Sequence, residues 1–182
     1  METIKTFTAT TEDELWQQVA TDMAQHQDLL QYSAQLNQGD QTIYFDIDID
    51  LGGGFEGGFS STSFLAPVPG NPSLRFHLHE QDWVNEIGTV FGLEDIKLGD
   101  PEVDEAFIIK TNQPDTLKAL FADPDLRAFL LTHRDCELEL KHHDDEGGLQ
   151  LTFSKDDAIL NPAELRQVYH WLREVVARVS GE

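Results

Sequence analysis

Three aspartates alternate along one short segment, Asp46, Asp48 and Asp50 in YFDIDID. Alternate residues of a strand project from the same face, so these carboxylates form a stripe of hard oxygen donors of the kind calcium takes. The helix-loop-helix calcium pattern does not fit, because it would need glycine at Leu51 and a bidentate glutamate at Gly57. Same-face neighbours on a strand are also about 7 Å apart, too far for three to share one ion unaided. The alternative is a solvent-facing acidic stripe that resists edge-to-edge aggregation. His77 and His79, in FHLHE, are the second candidate metal ligands. Their spacing places two imidazoles on one strand face, as some transition-metal sites do, but no third ligand stands nearby in sequence. Two surface histidines are the expected reading. His142 to Glu146 also gather ligand-type atoms, in a composition that ordinary turns share.

Catalytic signatures are missing elsewhere. The sequence has no Gly-x-Ser-x-Gly elbow, no phosphate loop ending in Gly-Lys-Ser/Thr and no His-Glu-x-x-His. Gly52, Gly54 and Gly57 have dinucleotide-fingerprint spacing, but no helix pattern follows to receive a phosphate, so no cofactor is expected. Cys136 is the single cysteine and sits in the alternating run CELEL among acids. That context suits a small buried hydrophobe better than a thiolate, which needs electropositive surroundings.

The elements that must position these residues follow from hydrophobic period. Thr11 and Glu14 have capping-box spacing ahead of a helical stripe of Leu15, Trp16, Val19, Ala20 and Met23, and the helix is expected to end or bend around His26 to Leu30. A Gly39-Asp40 turn leads into QTIYFDIDID, a half-buried strand by its period of two. The glycine-rich tract from Leu51 reads as a bent or bulged strand whose glycines permit close backbone approach, followed by a proline loop. LRFHLHE is a short strand, and Trp83, Val84, Ile87 and Phe91 form a helical stripe stopped by Gly92. A short strand, the Gly99-Asp100-Pro101 turn and a strand VDEAFIIK come next. Pro114 and Pro124 each open a helix. CELEL and LQLTF form a hairpin, and Asn161-Pro162 starts a long amphipathic C-terminal helix bearing Leu165, Val168, Leu172, Val175, Val176 and Val179. The predicted architecture over residues 1–182 is a single α+β domain, an antiparallel sheet packed against several helices.

The run GDPEVDEAFIIK, followed by Pro114 and leucine-bearing helices, resembles a cadence of an uncharacterised bacterial protein family of unknown function. The resemblance spans Leu74 to the C-terminus. It departs at Val103, where the cadence carries phenylalanine. It implies no catalytic residue.

Twelve Lys and Arg against 34 Asp and Glu give a formal charge of −22. Such a surface repels nucleic acid backbones and anionic leaflets. No apolar run approaches the roughly 20 residues of a membrane-spanning helix, and the N-terminal METIKTFTATTEDELW lacks the layout of a signal peptide, so a cytoplasmic setting is expected. The functional expectation is a non-catalytic acidic binding protein, with a basic protein as the natural partner. The alternatives are a cation-binding or metal-assisted enzyme using Asp46, Asp48, Asp50, His77 or His79, and an immunity or inhibitor protein against a basic target.

Overall fold

The computed structural model describes residues 4–26, 29–53, 57–81, 92–143 and 148–181. The chain opens with β1 (Lys5–Ala9), α1 (Glu12–Met23), β2 (Gln31–Gln38), β3 (Gln41–Asp50), β4 (Phe59–Val68) and β5 (Phe76–Glu80). It continues through β6 (Glu94–Ile96), α2 (Pro101–Ala106), β7 (Phe107–Thr111), α3 (Pro114–Leu120), α4 (Pro124–Thr132), β8 (Cys136–His143), β9 (Gly148–Lys155) and α5 (Pro162–Ser180). The described strands build one nine-stranded sheet ordered β1-β2-β3-β4-β9-β8-β5-β7-β6. Only β1 and β2 pair in parallel, joined through α1; the remaining pairs are antiparallel. This is the expected α+β class.

Alternation decides which face the helices cover. Ile43, Phe45 and Ile47 of β3 register with Leu36, Ala34 and Tyr32 of β2, and Phe45 with Phe64 of β4. Phe64 lies opposite Phe153 of β9, which lies opposite Leu138 of β8. The rings on this face touch in a row: Tyr32 to Phe45 at 5.6 Å, Phe45 to Phe64 at 5.2 Å and Phe64 to Phe153 at 6.2 Å. Trp16 of α1 stacks on Phe45, Phe121 after α3 meets Phe76, and Phe129 of α4 meets Phe153. α5 buries Leu165, Val168, Tyr169, Trp171, Leu172, Val175 and Val176 in the same core. Each such large apolar side chain contributes about 1.5–3 kcal/mol relative to exposure.

Local chemistry fixes the helix starts. Thr11 Oγ1 accepts from the Glu14 amide at 3.2 Å, and Asn161 Oδ1 from the Ala163 amide at 2.9 Å. Gly181, at φ +80, closes α5 by donating to Ala177 O. Gly39, at φ +62, supplies the left-handed residue of the two-residue β2–β3 connection.

Three readings of the sequence are corrected, and a fourth falls outside the described residues. β1 and β2 were not expected: Gln31–Gln38 carries only Tyr32, Ala34 and Leu36 among polar residues, a weak alternation that becomes a strand because β3 pairs along its whole length. Val103–Ala106 is helical rather than the start of a strand. Asp100 caps α2 through the Glu102 and Val103 amides, Pro101 occupies its first turn, and the strand begins at Phe107. The glycine-rich tract enters the sheet only at Phe59. A Cβ at Gly58 would collide with the Asp50 carbonyl, so close backbone approach is its role. The expected helix of Trp83, Val84, Ile87 and Phe91 lies outside the described residues.

Candidate functional site

The sheet face opposite the helices holds the residues singled out for chemistry. Asp46, Asp48 and Asp50 alternate with the buried Ile43–Ile47 set, and so point away from the core. Glu137 and Glu139 of β8 alternate with buried Cys136, Leu138 and Leu140 and share that face. Between them, Ser61, Ser63, Thr152 and Ser154 supply small polar side chains. Lys141 pairs with Glu139 at 2.6 Å, and Lys110 with Asp95 at 3.7 Å.

The three aspartates do not converge. Asp46 is exposed beside Ser33 and Ser63. Asp48 accepts from Gln31 Nε2 at 3.3 Å, and Asp50 Oδ1 takes the Gly52 amide at 2.8 Å, shaping the turn that leaves β3.

His77 and His79 are not surface histidines, which corrects the sequence expectation: they are 3% and 2% exposed. β5 pairs along its edges with β7 and β8, and Phe76, His77, Leu78 and His79 are all buried, so both faces of this strand are covered. His77 Nε2–H donates to Glu137 Oε1 at 2.6 Å, while its buried Nδ1 has no hydrogen-bond partner among the described residues. His79 Nδ1–H donates to the Glu80 carbonyl at 2.9 Å. The rings lie 5.1 Å apart. Burial, with His77 adding in the same direction, holds the His79 imidazole below its ordinary value. Glu137 was missed as the partner of His77 because it is 60 residues distant; the alternation of CELEL was the available signal, since it places Glu137 opposite the leucines.

The two candidate groups remain apart. β3 and β5 are separated by β4, β9 and β8, four strand spacings or about 19 Å. Among the described residues, no three His, Cys, Asp or Glu side chains are arranged to hold a metal ion. Asp100 lies elsewhere, capping α2 and meeting Arg127 at 3.3 Å. His142 is exposed at the end of β8, and residues 144–147 lie outside the described residues. Cys136 is 2% exposed, and burial pushes its thiol up to about 12, with Asp135 adding to the rise. Inert packing is the consequence.

A second polar cluster joins α1 to α5. Arg166 Nε donates to Glu12 at 2.8 Å and its Nη2 reaches Asp13; His170 Nδ1 lies 3.0 Å from Glu12. Burial raises the Glu12 carboxyl, but the hydrogen bonds from His170 and Arg166 outweigh it and hold the group below its usual range. Each charge there is answered by another, which suits a clamp between helices.

No protein-family model matches the chain, and no curated protein matches it. A solved structure does. The fold is that of the mycobacterial trehalose monomycolate transport factor A, TtfA, at a TM-score of 0.52. The match covers 87% of this chain and 78% of that one, at 10% sequence identity. At that identity the likeness speaks for the fold. No helix among the described residues is long and apolar enough to cross a membrane.

Proposed function

We propose that this chain is a non-catalytic binding domain of cytoplasmic setting that engages a basic protein surface through the open face of its sheet. The observation that carries this reading is the distribution of carboxylates on that face: Asp46, Asp48 and Asp50 at one side, Glu137 and Glu139 across the sheet, on a chain of net charge −22. The described helices pack on the other face, so β3 and β4 present side chains rather than a covered layer. A lysine- or arginine-rich surface is the complement, and long-range attraction would speed its encounter. The aspartates are spread along a strand, Asp48 meeting Gln31 and Asp50 the Gly52 amide, an arrangement that suits contact with a broad basic surface.

The test uses the untagged chain immobilised in native lysate at low salt, with each captured protein then purified and titrated separately. The expected result is a basic partner whose affinity falls at least about tenfold in the combined Asp46→Asn, Asp48→Asn, Asp50→Asn variant, and falls again between 50 and 200 mM salt, within the range of screening on exposed charges. A partner bound equally well by the variant, or insensitive to salt, would overturn the reading.

A further inference from the structure

α4 and α5 lie side by side over the sheet, and a cleft of about 680 Å³ opens between them, within the size range of small-molecule sites. Arg178 of α5 donates to Asp123 at the start of α4 at 2.7 Å, and Trp171 Nε1 donates to Leu126 O at 3.2 Å, so the two helices are held in register along the cleft. Phe129 and Trp171 stack within it at 4.5 Å and 17°. His133, the residue that ends α4, lines the same cleft. Its ring packs on Phe129 at 4.6 Å and edge-on to Phe153 at 5.9 Å, and it is 1% exposed.

Among the described residues, neither ring nitrogen of His133 has a hydrogen-bond partner. Its backbone is satisfied, with the amide donating to Phe129 O and Leu130 O and the carbonyl accepting from Cys136. The side chain alone is left wanting, and buried polar atoms without partners are rare in folded proteins because each one carries its full desolvation cost. The charged groups at the mouth are not free to supply it. Arg166 is engaged by Glu12 and Asp13, and Arg178 by Asp123.

We propose that this cleft binds a small uncharged molecule with an apolar body and one hydroxyl or amide head group, the body resting on Phe129 and Trp171 and the head group hydrogen-bonded to His133. A neutral imidazole offers one donor and one acceptor, the complement of a hydroxyl. Burial, assisted by the nearby Lys155 charge, holds His133 below the ordinary imidazole value, so the ring is neutral near pH 7. An anionic head group would find both arginines occupied and Asp125 and Glu174 beside them.

The experiment titrates the untagged chain with 4-propylphenol and with propylbenzene, followed by calorimetry and by the His133 ring signals in NMR. Saturable one-site binding is expected, with the phenol about tenfold tighter than the hydrocarbon, the scale of one well-made hydrogen bond to an otherwise orphaned group. His133→Phe should abolish the phenol's advantage while leaving propylbenzene bound. Ala128→Trp, placed at an exposed cleft-lining position, should block both ligands with an unchanged circular dichroism spectrum. Absence of saturable binding, a phenol advantage that survives His133→Phe, or binding indifferent to Ala128→Trp would each overturn the proposal. The aspartate variant of the sheet face should bind both probes normally, which separates this outcome from that of the basic-partner reading.

Discussion

Replacing His133 with phenylalanine should flatten the dependence of stability on pH below neutrality. In the folded chain His133 is buried among Phe129 and Phe153 with neither nitrogen bonded among the described residues, and burial lowers its affinity for a proton. In the unfolded chain the same ring titrates near 6.5. The unfolded state therefore binds more protons over the range between the two values, and stability rises with pH there. The histidine's contribution is intact above about pH 6.5 and is lost as the pH falls from there toward the folded value. For a ring that stays neutral in the folded state, the loss between pH 6.5 and 5.5 approaches about 1 kcal/mol. His79 is shifted in the same direction and adds up to a similar amount, so the parent chain should lose up to about 2 kcal/mol over that unit. Glu12, Asp22 and Asp123 are held below their ordinary carboxyl values and so change stability only at lower pH. The absolute stability of the variant at pH 7.5 combines relief of two orphaned nitrogens with the crowding of a larger ring, opposing effects of about 1–3 kcal/mol each. The slope is therefore the diagnostic quantity. Urea denaturation at pH 7.5, 6.5 and 5.5, followed by far-ultraviolet circular dichroism, measures it. Parallel pH profiles for parent and His133→Phe would refute the reasoning, since they would mean that the ring protonates freely in the folded protein.

Phe45→Ala should lose about 3–5 kcal/mol by chemical denaturation, because Phe45 is 1% exposed and touches Trp16, Tyr32 and Phe64 at the centre of the aromatic row. Asn161→Ala removes the side-chain cap on the Ala163 amide and should cost about 1 kcal/mol in thermal melts. Native Cys136 should resist iodoacetamide at pH 8 and react once urea unfolds the chain, since its thiol is buried and pushed up to about 12; rapid native alkylation would contradict that burial.

The strongly patterned elements were legible because their signals are local. The Thr11 and Asn161 caps, the alternation of Ile43, Phe45 and Ile47, the CELEL–LQLTF hairpin and the stripe of α5 each occupy a single short window. β2 was not legible, because Tyr32, Ala34 and Leu36 bury a modest apolar surface and its pairing with β3 supplies the rest. α2 was mistaken for strand: Val103–Ala106 adjoins the strongly β-forming Phe107–Ile109, yet the Asp100 cap and Pro101 impose a helical turn first. Val103 is fully buried, so the turn that Asp100 and Pro101 start is anchored in the core.

Composition alone set the acidic character of the surface, and alternation alone placed Asp46, Asp48 and Asp50 opposite the apolar face of their strand. Both follow from properties of the residues and of one strand's geometry, without reference to the rest of the chain. Strand order was decided by tertiary structure, and with it the separation of those aspartates from His77 and His79 by three intervening strands. Tertiary structure also sealed both histidines on a face that looked solvent-bound, paired His77 with Glu137, and placed His133 in the lining of the α4–α5 cleft with no hydrogen-bond partner among the described residues. Burial and partnership depend on which distant segments meet, and no window of a single strand or helix contains that information.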